Sequence, residues 1–383
     1  MIPLSRPDIN EQDIERVVEV LKSGRLSLGE YTKRFGEMVA EYTGARFGWA
    51  VSSGTAALHL ILESLDIDEG DLILVPSFTF IASVNVILMK RAVPVFVDVD
   101  ERTLNVSPET LEEAVKRCLK GFKQGNIEIK GKPRLFMAVD VFGHPLDWDG
   151  ILDACQRYGI AVVEDSCEAL GSEYKGRKVG TFGVAGAFAF YPNKQITTGE
   201  GGVVVTNDEK IHTAVKSMSN QGRGEGDEWL YHVRFGYNYR IDEMSAALGC
   251  SQMERIDEIV EKRAEAAERY SKMLKEFSWV KVPVVEDYVT KMSWFVYVVR
   301  LEGPDRNRVM RYMEEKGVQV RNYFYPVHFQ PFYEKLFGSM KGLLPVTERE
   351  SEKTLAIPFF TSITESEQKT VVEVLREAVE RVG

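Results

Sequence analysis

Ala187-Phe188-Ala189-Phe190-Tyr191-Pro192-Asn193-Lys194-Gln195-Ile196-Thr197-Thr198-Gly199-Glu200-Gly201-Gly202 is the stretch that decides how the rest of the chain is read. Its first residues are apolar and aromatic, as a buried strand requires. Pro192 must end that strand, because it lacks the N–H a ladder needs and restricts its predecessor. After the flexible Gly199-Glu200-Gly201-Gly202 comes a second apolar run, Val203-Val204-Val205-Thr206. Lys194 is therefore expected in a tight turn between two buried strands. A lysine that only faces solvent needs no such setting. Enclosure disfavours the ammonium form and frees the amine to attack a carbonyl and form a Schiff base.

Upstream, strand-like runs alternate with helical ones. Trp49-Ala50-Val51, Leu72-Ile73-Leu74-Val75-Pro76, the run from Val93 to Asp100, Leu135 to Val141 and Gly159 to Asp165 all read as strands. That alternation predicts a largely parallel sheet covered by helices on both faces, with ligands beyond the carboxyl ends of the strands. Two of those ends carry chemistry. Ser52-Ser53-Gly54-Thr55 leads into the apolar helix Ala56-Ala57-Leu58-His59-Leu60-Ile61-Leu62, whose free first amides could cradle a phosphate or simply be capped by serine. Asp165 closes its strand either as a site acid or as a helix cap. His144, in the exit turn Phe142-Gly143-His144-Pro145, could be a ligand, but a turn histidine is more often structural. The acids at 98 and 100 are expected to turn out to solvent, and the lysine-rich stretch 120–132 to form a solvated excursion.

Downstream, the polar run 220–227 lacks the Lys-Ser/Thr that closes a nucleoside-triphosphate loop, and reads as a mobile loop. A long helix is expected over 251–277, then strands at 294–301 and 318–320 around a helix at 306–316. Thr364 and Glu367 form a capping box for the last helix. Composition changes after the long helix. We therefore expect a large domain, residues 1–250, and a smaller α+β domain, residues 251–383, that includes the linking helix.

The 383 residues carry a formal net charge of −10, with 44% hydrophobic and 28% charged residues. That balance excludes a general nucleic-acid or anionic-membrane binder, since no basic excess exists to neutralise phosphates. The four cysteines, Cys118, Cys155, Cys167 and Cys250, are far apart and suggest neither a metal nor a disulfide framework. No 18-residue apolar run exists, and Met1-Ile2-Pro3-Leu4-Ser5-Arg6-Pro7 lacks a signal core. A cytoplasmic protein is expected.

A phosphate-type turn, an acid and an enclosed lysine, in that order, are what pyridoxal phosphate (PLP) needs. The chain resembles the fold-type I PLP enzymes, and within them the DegT/DnrJ/EryC1/StrS sugar aminotransferases. The resemblance spans nearly the full length. It rests on Ser52-Ser53-Gly54-Thr55-Ala56-Ala57-Leu58, Pro76-Ser77-Phe78-Thr79-Phe80, Glu164-Asp165-Ser166-Cys167-Glu168-Ala169-Leu170-Gly171, the lysine stretch and Gly236-Tyr237-Asn238-Tyr239-Arg240. It implies an aspartate aminotransferase-like α/β fold with a large PLP-binding domain.

The resemblance also implies roles. Lys194 would bind the cofactor and move the proton, and Asp165 would pair with the ring nitrogen. Phe80 would stack on the ring; Gly54, Thr55 and Ala56 would hold the phosphate. Asn238 would reach the phosphate of a neighbouring subunit, so a homodimer with shared sites is implied. Ser27, in the segment 24–31, and Tyr325 and His328 fall where the family contacts a sugar nucleotide. Two positions depart from the common pattern. Ala189 stands where a serine often binds phosphate, and Glu168 stands where glutamine or histidine often sits near the ring hydroxyl. The implied activity is amino transfer from an amino acid, such as glutamate, to a nucleotide-linked keto-deoxysugar. Two alternatives are a PLP-binding regulatory protein without turnover and a PLP enzyme acting on small amino acids. No metal is expected.

Overall fold

The computed structural model describes residues 1–224 and 230–382. Of the loop read over 220–227, Glu225, Gly226 and Asp227 lie outside the described residues. Its beginning is held in place: Gly222 donates to Ser217 O at 2.8 Å and receives the Val233 amide at 2.8 Å.

Seven strands form the central sheet: β1 (Phe47–Val51), β2 (Leu72–Pro76), β3 (Val93–Val97), β4 (Leu135–Val139), β5 (Ala161–Asp165), β6 (Ala185–Ala189) and β7 (Gly202–Thr206). Their spatial order is β1-β7-β6-β5-β4-β2-β3. Only β7 runs against its neighbours, pairing antiparallel with β1 and β6, while the remaining contacts are parallel. The reversal from β6 to β7 is the turn predicted around Pro192 and the glycines. β1 points the same way as β2 to β6. The ends of these strands at Val51, Pro76, Val139, Asp165 and Ala189 therefore share one edge of the sheet. The sheet residues are nearly all buried, which is why they read as continuous apolar runs rather than alternating ones.

Gly202 allows the closest approach at that edge. A Cβ there would stand 2.3 Å from Ser53 O, so only glycine lets the start of β7 lie against the turn after β1.

The C-terminal part builds a second, three-stranded antiparallel sheet from Val280–Lys281, Tyr297–Leu301 and Thr354–Ile357. Helices Ile256–Leu274, Arg306–Glu315 and Glu365–Val382 cover it, with Tyr270, Tyr297, Met313, Leu355 and Leu375 in a shared core. The capping box is present: Glu367 N donates to Thr364 Oγ1 at 3.2 Å, and Thr364 N to Glu367 Oε2 at 2.8 Å. Among the described residues no helix is long and apolar enough to cross a membrane.

Four local expectations are corrected. The long helix read over 251–277 begins later, at Ile256, and ends at Leu274; residues 251–253 close the preceding helix, Glu243–Met253, and the two are parted where Arg255 leaves helical geometry (φ −125°, ψ 20°) and its guanidinium reaches Asp8 and Asp13. Residues 318–320 are not a strand, because the pairing there stops at isolated bridges: Val318 to Ile2 of the amino terminus and, just beyond, Arg321 to Ala356. The lysine-rich excursion contains a hairpin, Phe122–Gln124 with Ile127–Ile129. Its buried Gln124 receives the Phe96 amide at 3.0 Å and donates to Pro94 O at 2.8 Å, so it satisfies the outer backbone of edge strand β3. Asp98 does not simply face solvent. It caps helix Pro345–Ser351 by accepting the amides of Val346 (3.0 Å) and Thr347 (2.8 Å).

Candidate active site

At the carboxyl edge of the sheet lies a cleft of about 640 Å³, walled by residues from widely separated stretches of the sequence. Ser53, Gly54 and Thr55 come from the turn after β1, and Thr79 and Phe80 from the turn after β2. Asp165, Cys167 and Glu168 follow β5. Ala189, Tyr191, Asn193 and Lys194 follow β6, and Phe295 with Asn322, Tyr323 and Phe324 arrive from the C-terminal part.

Lys194 stands at the centre. Its side chain is mostly enclosed, with Nζ 3.9 Å from the centroid of the Phe295 ring and 3.8 Å from Glu168 Oε1. Glu168 is buried, and its Oε2 receives the Phe142 amide at 2.8 Å. Burial pushes the Glu168 carboxyl above the ordinary carboxylate range, opposed by the Lys194 charge and the Phe142 amide. This pair thus sets an acid beside an amine in a mostly enclosed corner.

Asp165 occupies the end of β5. Its Oδ2 receives the Ser83 hydroxyl at 2.6 Å, and its Oδ1 the Cys167 amide at 3.2 Å. The second bond is the local cap that a lone aspartate would have; the first comes from a helix 82 residues upstream. Behind it, Asp140 is wholly buried and receives the Ser166 hydroxyl at 2.8 Å. Burial and the neighbouring Glu164 raise its pKa well above the carboxylate range. The Cys167 thiol, on the same wall, is likewise pushed far up by burial and by Asp165.

The phosphate-type turn is also a capped helix start. Ser53 Oγ takes the Ala56 amide at 3.1 Å, while the amides of Gly54 and Thr55, first in helix Gly54–Ser64, have no intrahelical acceptor. Gly54 is required there: a Cβ would meet Ala189 Cβ at 2.7 Å and Cys167 Sγ at 2.9 Å. The turn is thus a serine-capped helix start that leaves two amides open to the cleft. Of the three predicted residues, Gly54 and Thr55 line the cleft, while Ala56 is buried with its amide already used.

Phe80 lines the cleft with 61% of its surface exposed, a large aromatic face left open for a planar partner. The other predicted residues lie elsewhere in this chain. Asn238 is exposed and bridges to Asn220, off the cleft wall. Ser27 is exposed beside Leu28, and Tyr325 is half-exposed; neither lines the cleft. His328 is fully buried, its Nδ1 2.6 Å from Ser77 Oγ, with burial lowering its pKa. His144 is a buried structural histidine, as read, with Nδ1 2.7 Å from Pro145 O.

Sequence reasoning missed Ser83, Phe295 and the wall 322–324. Ser83 had one usable sign, its position three residues after Phe80 on the same helical turn. Phe295 and Tyr323 had none, since long-range packing alone brings them to Lys194.

The residues fit pyridoxal phosphate: an enclosed amine, an acid across the cleft, open helix-start amides and an exposed aromatic face converge on one space of suitable size. The chain matches the family described as the DegT/DnrJ/EryC1/StrS aminotransferase family over residues 7–376. GDP-perosamine synthase of Escherichia coli O157:H7 is 34% identical over 377 residues, covering 98% of each chain. The pleiotropic regulatory protein of Geobacillus stearothermophilus is 31% identical over 380 residues, covering 97% of each. Spr1654 of Streptococcus pneumoniae, solved in its PLP form, superposes with a TM-score of 0.90 at 26% identity, covering 100% of this chain and 99% of that one. The chain belongs to the DegT/DnrJ/EryC1/StrS family of sugar aminotransferases and is a pyridoxal phosphate-dependent aminotransferase.

Proposed function

We propose that this enzyme moves an amino group from glutamate to the keto carbon of a nucleotide-linked deoxysugar, for the making of an amino-sugar component of a cell-surface polysaccharide. The observation that carries this reading is the convergence of Lys194, Glu168, Asp165 and Phe80 on one cleft in a chain similar over nearly its whole length to a GDP-perosamine synthase.

Bound pyridoxal phosphate supplies an aldehyde and an electron-accepting ring. Lys194 Nζ would hold that aldehyde carbon until the donor's amine displaces it. The freed Nζ, enclosed by Phe295 and Glu168, would then carry the proton between substrate carbon and cofactor carbon. Asp165, fixed by Ser83, would keep the ring nitrogen protonated. Gly54 and Thr55 would donate to the phosphate, and Phe80 would cover the ring. Ala189 offers no hydroxyl, so the helix-start amides would carry more of the phosphate binding here. Glu168, its carboxyl raised by burial, would serve the ring hydroxyl as donor or acceptor. We further propose that residues 1–250 are the cofactor-binding domain and 251–383 the smaller one. Asn238 would act in the site of a second subunit of a homodimer; its exposure supports this.

The test is to incubate the PLP-loaded enzyme with glutamate and a set of keto-sugar nucleotides, and to identify the aminated product by mass spectrometry and NMR. Conversion of small keto acids only would overturn the sugar reading. The relative named a pleiotropic regulatory protein favours a second reading, a PLP-binding regulator. Glutamate separates the two: a transaminase consumes it and releases 2-oxoglutarate, whereas a regulator without turnover does not.

A further inference from the structure

Lys194 is followed by a residue the mechanism does not use. Gln195 is 3% exposed, and its side-chain Nε2 makes two hydrogen bonds, to Glu168 O at 2.7 Å and to Ser293 Oγ at 2.8 Å. A carboxamide nitrogen carries two protons and a backbone carbonyl can only accept, so both protons are committed and the orientation of the amide is settled. The Ser293 end is itself anchored. The Ser172 and Ser293 hydroxyls lie 2.8 Å apart, Ser172 donates its one proton to Gly143 O at 2.6 Å, and Ser293 N donates to Ser172 Oγ at 2.9 Å. Even where the Ser172 proton is shared toward Ser293 Oγ, that oxygen keeps a second lone pair for Gln195.

The two acceptors of Gln195 are not arbitrary backbone. One is the main chain of Glu168, whose carboxyl faces Lys194 at 3.8 Å. The other lies two residues before Phe295, whose ring faces the same amine at 3.9 Å. The far side of that segment is held by Arg263, whose Nε donates to Trp294 O at 2.8 Å and whose Nη2 donates to Phe295 O at 2.7 Å.

We propose that Gln195 is a positioning residue for the transamination: one carboxamide ties the Lys194 turn at once to Glu168 and to the Phe295 segment, and so fixes the distance of both groups from the reactive amine. The proposal rests on the reading of Lys194 as the cofactor-binding amine. It concerns the setting of that amine, not the substrate.

The experiment follows capture of PLP by cofactor-free protein, with the Lys194 adduct trapped by borohydride at timed intervals and quantified on its peptide. Gln195→Met keeps size and burial but removes both donors. It is expected to slow capture about tenfold and to lower kcat by a similar factor, with KM for glutamate within about threefold, because misplacing a reactive group costs turnover more than binding. Ser293→Ala should show part of the loss, and Ser293→Thr, which keeps the hydroxyl, should restore it. Tyr270→Phe, which removes a buried bond to Pro358 O at 2.9 Å in the C-terminal core, gives the comparison for lost stability alone and should leave capture unchanged. Capture by Gln195→Met within twofold of wild type would overturn the proposal. Should that variant not fold, equal capture by the Ser293→Ala and Ser293→Thr proteins would do so. If wild type itself shows no adduct on the Lys194 peptide, the reading of Lys194 falls, and the role given to Gln195 with it.

Discussion

The proposed chemistry gives Lys194 and Asp165 separate parts, and each can be removed separately. Lys194→Ala takes away the only lysine among the described residues that line the cleft. Turnover should vanish and no borohydride-stable adduct should form, measured by glutamate consumption and peptide mapping. Asp165→Ala leaves the Gly54–Thr55 amides in place, so PLP should still bind while kcat falls by about a hundredfold or more, as expected when a preorganised charge is lost. Full activity in the Asp165 variant would show that the acid does not serve the ring. Asp165 also illustrates how two roles share one side chain. The cap to Cys167 N, expected of any aspartate at a strand end, uses one oxygen and leaves the other for Ser83.

At the scale of elements, the site depends on close contact between the first turn of helix Gly54–Ser64 and β6. Gly54→Ala places a methyl 2.7 Å from Ala189 Cβ. The helix start must then shift, at a cost of about 1–3 kcal/mol in stability. PLP affinity, read by equilibrium titration, should weaken about tenfold or more, since the shift displaces the open amides. Strand β5 carries a second device. Buried Glu164 receives the amides of Gly180 (2.5 Å) and Gly183 (2.6 Å), and so pins the link that follows the hairpin Glu173–Lys178. Burial outweighs those amides and pushes its carboxyl up to about 7 from the ordinary 4.5. A raised folded-state pKa means the native protein holds the extra proton between those values, so stability must fall as pH rises through that window. Glu164 should account for roughly 3 kcal/mol of this fall at most, by linkage. Thermal unfolding of wild type against Glu164→Gln between pH 4.5 and 7 should show the slope flattened in the variant, with no change of slope above it.

At the scale of the whole molecule, the site draws on both parts of the chain and, as proposed, on a second copy. Asn238 and the exposed Leu230, Tyr231, Val233 and Phe235 stand outside the cleft of their own chain. Mixing inactive Lys194→Ala with inactive Asn238→Ala should then regenerate about a quarter of wild-type activity after subunit exchange, because a hybrid dimer retains one site with both residues intact. No recovery, with exchange confirmed by mass spectrometry, would place Asn238 outside the shared site.

The run 187–202, the Gly54 turn and the acid ending the fifth strand were legible from residue type and order. Buried parallel strands need unbroken apolar runs, and turns need proline and glycine, so local physics alone wrote the sheet, the lysine turn and the open helix start at Gly54 into the chain. Reading failed where the outcome depends on a distant partner. The helix break at Arg255 answers to Asp8 and Asp13, Asp98 caps a helix from the other end of the chain, and His328 is drawn into a buried pair with Ser77. Phe295, Ser83 and the double bond of Gln195 belong to the same class: each is an ordinary residue in its own segment. Packing of the C-terminal part against the carboxyl edge of the sheet sets Phe295 and Ser293 beside Lys194 and Gln195, and packing of the helix after Phe80 against the end of β5 sets Ser83 on Asp165; contacts between residues a hundred positions apart leave no period in the sequence to read.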